Sequence, residues 1–167
     1  YNNALIGAAA IDKEDHPFPD TTKSICKTSD AILFGAIGDP KYDNDPKAKI
    51  RPEDGLLEMR KYLGLYANVR PIQTYSSLID ASNLKKEIIK NVDFVVYREL
   101  TGGIYFGDKG VSKDGNTVYD TCSYSKKEIM RISELAFKEA YKRKKELTLV
   151  DKANVLSTSR LWREVVQ

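Results

Sequence analysis

The sequence predicts an α/β protein, and three observations carry that expectation. Two continuous apolar runs, "ALIGAAAI" from Ala4 and "AILFGAI" from Ala31, have the length and composition of buried strands. A third, "LTLV" from Leu147, resembles them. Between these runs lie segments whose apolar residues recur at helical spacing. With 167 residues, 41% apolar and 31% charged, the chain has the composition of one folded domain or slightly more.

The elements follow in order. Ala4–Ile11 reads as a strand, ended by the proline-rich turn "KEDHPFPD". A short helix over Thr21–Thr28 and a strand over Ala31–Ile37 complete a right-handed βαβ unit. Gly38–Pro52 is a long loop with three prolines, and loops of this length usually bind something. A helix is predicted over Glu53–Leu63, opened by Pro52 and closed by Gly64. Tyr66–Tyr75 and Val92–Leu100 are strand-like, with a short helix near Leu84–Lys90 between them. Gly102–Gly103 marks a turn, "GDKGVSKDGN" an exposed loop, and "TVYDTCSYS" a short strand. Ser125 and Glu128 form a capping box for a helix reaching about Lys144. Its buried stripe is expected to be Ile129, Ile132, Ala136 and Ala140, widened by Met130, Phe137 and Tyr141. A last helix runs from about Val155 to Val166.

Composition excludes several classes. The net charge is only +3, and the basic run "KRKKE" suits a solvated helix C-terminus better than a nucleic-acid surface. No apolar run approaches the roughly 18–20 residues that span a bilayer. Cys26 and Cys122 are too few for a disulfide framework or zinc cluster and fit a reducing, cytoplasmic setting. There is no dinucleotide-binding glycine fingerprint, P-loop, zincin motif or serine-hydrolase elbow. His16 is the only histidine and sits in the proline turn, so acid–base work would fall to Lys, Tyr or carboxylates.

On the helix after Pro52, Glu53, Leu56, Leu57 and Arg60 fall on one side. This pattern suits a ligand with a carboxylate and a branched alkyl group. Spacing alone favours an ordinary amphipathic helix whose leucines face the core. Arg70 precedes Pro71 at a strand and Arg98 ends the apolar strand "VDFVVY"; an arginine at a strand's polar end either grips a carboxylate in a cleft or joins a surface ion pair. Tyr105 lies among glycines in "TGGIYFG" and is readable as a core residue or a proton donor. Lys152 follows "LTLV" directly; if partly buried beside cations it would suit a base.

The strings "DAILFGAIGDPK", "RPEDGLLEMRKYLGLYANVRP", "DFVVYRELTGGIYFG", "YDTCSYS" and "VDKANVLSTSRLWREVV" resemble the isocitrate/isopropylmalate dehydrogenase family. These are metal-dependent β-decarboxylating hydroxyacid dehydrogenases. "RELTGGIYFG" with "VDKANV" points to the superfamily, and the "GLL…RKYLGLYANVRP" stretch to the isopropylmalate branch. The resemblance implies a two-domain α/β subunit of which this chain is the middle portion. Residues 1–65 would belong to the cofactor-side domain, and 66–167 to a second domain with the dimer-forming arm and helices.

The resemblance also implies residue roles. Arg60, Arg70 and Arg98 match the arginines that hold the malate carboxylates, Tyr105 the catalytic tyrosine, and Lys152 a lysine entering the partner subunit's active site. Leu56, Leu57 and Val155 match the apolar wall around the isopropyl group. Asp39, Pro40, Lys41, Glu53 and Asn154 match cofactor-contacting positions. Asp39 departs from the branch's usual second glycine after Gly38, and Tyr42 from its usual tryptophan. NAD and Mg²⁺ or Mn²⁺ are implied as cofactors, with the acidic metal ligands expected beyond Gln167. The expected protein is a homodimer with shared active sites, acting in the cytoplasm on a small molecule, without nucleic acid or membrane. The expected reaction is oxidative decarboxylation of 3-isopropylmalate in leucine biosynthesis. Isocitrate, homoisocitrate and tartrate dehydrogenation are the alternatives within the superfamily. An inactive dimerising piece is the alternative outside it.

Overall fold

The computed structural model describes residues 1–44 and 48–167. It contains two compact units, Tyr1–Leu65 and Tyr66–Gln167. Part of the predicted Gly38–Pro52 loop, residues 45–47, lies outside the described residues.

In the first unit, the expected strand at Ala4–Ile11 is replaced by helix α1, Ala8–Glu14. Three successive alanines favour helix and are poor strand formers. Gly7 starts the helix at φ 65°, where its carbonyl accepts the Ala10 and Ile11 N–H groups. Helix α2 runs over Asp20–Thr28, close to expectation. Residues 31–37 form no ladder among the described residues, and Leu33 is fully exposed. The predicted βαβ unit is therefore not formed here. A strand exists only with a hydrogen-bonded neighbour, and apolar character alone does not supply one.

Within the long loop, α3 (Pro40–Asp43) makes one turn. Helix α4, Pro52–Tyr62, starts at its proline as expected. Gly64 N–H bonds Lys61 O and Leu65 N–H bonds Arg60 O, which satisfies the last carbonyls. The core is built from Ala8, Ala10, Phe18 and Met59, with Phe18 edge-on to Tyr62 at 6.0 Å.

The second unit is organised around an antiparallel ribbon. Strand β1, Ala67–Gln73, pairs with β2, Asp93–Glu99, in the register Asn68↔Arg98 and Arg70↔Val96. Their connection contains a 3₁₀ turn at Ser76–Ala81, unanticipated from the sequence, and α5, Lys86–Ile89. The segment expected to be a loop contributes β3 (Lys109–Val111), which pairs with β4 (Val118–Asp120). Helix α6, Lys126–Tyr141, carries the expected capping box: Ser125 N–H donates to Glu128 Oε2 at 2.7 Å.

Ile129 and Ile132 of α6 are buried, but Met130, Phe137 and Tyr141 are exposed, so the core stripe is narrower than predicted. The expected strand at Leu147–Val150 also lacks a ladder among the described residues, and Val150 is exposed. Helix α7, Ser157–Val166, packs against α6, with Trp162 edge-on to Tyr124 at 5.4 Å.

Candidate active site

Helix α4 positions the first group. Its buried side is Pro52, Gly55 and Met59, because Gly55 lies against the Pro17 carbonyl with no room for a side chain. Leu56, Leu57 and Arg60 are consequently half-buried rather than core residues, and Glu53 is exposed. Leu56 flanks the buried face, four positions after Pro52 and three before Met59, while Leu57 lies farther round the helix, so the leucines do not both face the core as the ordinary amphipathic reading has them. Glu53 Oε1 lies 3.6 Å from where a side chain at Gly38 would begin, so this carboxylate adjoins bare backbone.

Asp39 accepts the Lys41 N–H at 3.0 Å and so caps α3. Lys41 Nζ and the Tyr42 hydroxyl both donate to Asp12, at 2.5 and 2.7 Å. The Lys41 bond, followed by that of Tyr42, holds the Asp12 carboxyl below its ordinary range. Both departures from the branch pattern are therefore used locally. Asp39 closes a helix turn, and Tyr42 gives its hydroxyl to the latch.

In the second unit the ribbon positions Arg70 and Arg98. Side chains alternate along a strand and opposite residues share a face, so Asn68, Arg70, Val96 and Arg98 lie together. Arg70 Nε donates to Asn68 Oδ1 at 2.7 Å. Among the described residues neither arginine has a carboxylate partner, which removes the surface ion-pair reading. After β2 the chain turns through Gly102 and Gly103, the latter at φ 78° with its N–H on Ser123 O at 2.7 Å. This turn brings the Tyr105 ring under Arg98, 5.4 Å from guanidinium to ring centre.

The odd-numbered face of β2 points the other way. Glu99 there is buried, a residue the sequence reading passed over. It accepts Thr101 N–H at 2.9 Å, Thr101 Oγ1 at 3.0 Å and Gly102 N–H at 2.6 Å, and pairs with Arg131 of α6. Tyr124 packs against both glycines, and its burial pushes the phenol up.

Lys152, Asn154 and Val155 occupy a turn before α7, all with exposed side chains. Arg163 grips Asp151 through two bonds, at 3.1 and 2.9 Å, and Ala153 N–H adds a third. Lys152 is exposed rather than buried beside cations, so the condition set for it as a desolvated base is not met within this unit. Lys152 and Asn154 line an open groove of about 670 Å³ whose other walls include Arg160 and Glu164.

Comparison with known proteins adds the family. The sequence model of the isocitrate/isopropylmalate dehydrogenases matches residues 1–167. The chain belongs to the isocitrate/isopropylmalate dehydrogenase family. Its curated relatives include the 3-isopropylmalate dehydrogenase of Bacteroides fragilis (strain YCH46), 55% identical over 167 residues. That alignment takes in all of this chain and 47% of the relative. The enzyme of the same name from Bacillus subtilis (strain 168) is 52% identical over 171 residues, again across all of this chain and 47% of the relative. The chain thus spans about half the length of these relatives.

The isocitrate dehydrogenase of Methylococcus capsulatus superposes with a TM-score of 0.72 at 27% identity, covering 96% of this chain and 45% of that one. A β-decarboxylating dehydrogenase of Thermococcus kodakarensis gives 0.63 at 28% identity, covering 96% and 42%. These neighbours place the chain in the predicted isocitrate/isopropylmalate dehydrogenase fold class.

Two cofactor expectations can be set against these residues. For a metal, the described residues contain no group of three or more His, Cys, Asp or Glu side chains placed to hold an ion. The chain's described residues do not fit that role by themselves. For NAD, the exposed Glu53 carboxylate beside side-chain-free Gly38 suits hydroxyl groups at a bare backbone edge. No helix of the described residues is long and apolar enough to cross a membrane.

Proposed function

We propose that the protein carrying this sequence is an NAD-dependent 3-isopropylmalate dehydrogenase. It would convert 3-isopropylmalate to 4-methyl-2-oxopentanoate and CO₂ in leucine biosynthesis, in the cytoplasm. The observation that carries the reading is the pair of arginines on one ribbon face, without carboxylate partners among the described residues, with Tyr105 beneath Arg98. A planar guanidinium is the usual bidentate partner of a carboxylate, and a malate has two carboxylates to place. The names of the relatives at 52–55% identity support the choice of substrate.

Within this reading Arg60, Arg70 and Arg98 orient the dianion and offset its charge. Lys152 takes the proton of the C2 hydroxyl as hydride leaves C2. NAD⁺ supplies the hydride acceptor, with Asp39, Pro40, Lys41, Glu53 and Asn154 as its expected contacts. After the β-carboxylate departs as CO₂, Tyr105 returns a proton to the carbon that carried it. Mg²⁺ or Mn²⁺ remains expected from the family, with ligands outside the described residues.

Leu56 and Leu57, half-buried beside Arg60, supply the alkyl wall together with Val155. Isocitrate would bury a third carboxylate against these leucines without a partner, which is costly. The exposed Met130, Phe137 and Tyr141 on α6 support a second copy of the chain as cover, giving a homodimer. Its active sites would be shared, and its exposed Lys152 would serve the partner.

The test is a comparison of kcat/KM for 3-isopropylmalate and isocitrate, using the full reading frame that carries this sequence. A large preference for 3-isopropylmalate is expected, and a preference for isocitrate would sink the assignment. Close alkylmalates should still react, because one methylene in such a pocket is worth only about 1–3 kcal/mol.

A further inference from the structure

Glu99 has a cost that the sheet does not explain. Its side chain is 1% exposed, and a buried carboxylate is unfavourable unless fully partnered. Three of its four bonds go to the two residues that begin the following turn. The fourth is the ion pair with Arg131, whose Nη2 also donates to the Thr101 hydroxyl. Glu99, Thr101 and Arg131 therefore close a triangle, with the Arg131 guanidinium stacked 4.8 Å from the centre of the Tyr66 ring.

The fold has other means of making this turn. Gly103 N–H already bonds Ser123 O, and Tyr124 already supports both glycines. What the carboxylate adds is a fixed direction for the backbone between Arg98 and Tyr105. It grips the Thr101 and Gly102 N–H groups from inside while Arg98 projects to the opposite face. Tyr105 itself is 44% exposed, with Arg98 against its ring, so its placement depends on the course of the backbone that leads to it.

We propose that Glu99, anchored by Arg131, is a positioning residue for Tyr105. The inference rests on the role proposed above for Tyr105 as proton donor. It assigns the buried ion pair to alignment of that hydroxyl rather than to holding the unit together.

The experiment uses the full-length protein with Glu99→Gln, Tyr105→Phe and the double variant. Glu99→Gln should lower kcat by about 10- to 100-fold with little change in KM, as expected for a slightly misplaced reacting group. In the Tyr105→Phe background the same substitution should cost less than about twofold, since nothing remains to align. An unchanged kcat, or losses that multiply in the double variant, would overturn the proposal.

If Glu99→Gln fails to fold, Glu99→Gln with Arg131→Met removes both charges, leaving no unpaired ion. The same dependence on Tyr105 is expected of it. Should the wild-type protein not oxidise 3-isopropylmalate, the functional reading fails, and hydrogen exchange decides the positioning claim separately. Glu99→Gln should then raise exchange over residues 101–106 while leaving the β1–β2 ribbon protected. Unchanged exchange there would overturn it.

Discussion

The Arg98 guanidinium stands 5.4 Å from the centre of the Tyr105 ring, although seven positions separate them in the chain. In the proposed reaction Arg98 holds a substrate carboxylate and Tyr105 returns a proton, so the contact joins the two proposed roles. Tyr105→Phe keeps the ring beneath Arg98 and removes only the hydroxyl. Substrate binding should persist while kcat falls by about 10²–10⁴-fold. Arg98→Lys keeps the charge but loses the planar fork, so its main effect should be a weaker substrate complex. Steady-state kinetics on the full-length protein separates the two. A Tyr105→Phe variant with native kcat would remove Tyr105 from the mechanism.

Stability of the second unit should depend on the inner edge of α6. Ile129 is completely buried, and truncation to Ala deletes contacts without room for collapse. Ile129→Ala should cost about 2–5 kcal/mol by denaturant unfolding. Ser125→Ala removes the cap from the same helix and should cost about 1 kcal/mol. Phe137→Ala, on the exposed side, should barely affect a monomer. It should weaken self-association if a second copy covers that face, which sedimentation will read.

The turn that carries Lys152 has a pH signature. The Arg163 bonds, followed by the Ala153 N–H, hold the Asp151 carboxyl below its ordinary value of 3.8. A lowered folded value means that the stabilisation is present above 3.8 and lost as pH falls through the folded value. Asp151→Asn should therefore lower Tm at pH 7, and the gap from wild type should shrink as pH is taken below 3.8. A gap of constant size across that range would point to packing rather than charge.

Local signals were readable from the residues, and relational ones were not. Pro52, Gly64 and the Ser125–Glu128 box mark helix ends through bonds made within a few positions. The ribbon strands β1 and β2 also lie close to their expected bounds. The apolar run at residues 31–37 identifies a segment suited to pairing but not whether a neighbour exists. Ala8–Glu14 was misread because small apolar residues fit strand and helix alike, and alanine decides for helix. Arg98 and Tyr105 were recognisable as candidates, but their stacking depends on the turn at Gly103. Glu99 escaped notice because its charged partner lies 32 positions away, on another element.

The sharing of active sites between subunits can be tested by complementation. Lys152 is exposed on its own chain; its backbone N–H donates to Ser159 Oγ at 3.1 Å and its carbonyl accepts from Val155 and Leu156 N–H. A lysine presented this way can reach a neighbour's site. Lys152→Ala should abolish NADH formation because the C2 hydroxyl then has no base, and Tyr105→Phe should fail at the later protonation. In the proposed homodimer, each variant alone would form dimers without a complete site. Mixed dimers pair the native Tyr105 of one subunit with the native Lys152 of the other at one of their two sites. After random subunit exchange about half of the dimers are mixed, so about a quarter of all sites should work. Activity should grow at the rate of exchange, followed independently by tagging one variant. If exchange proceeds and no activity returns, Lys152 serves its own subunit or takes no part in the chemistry.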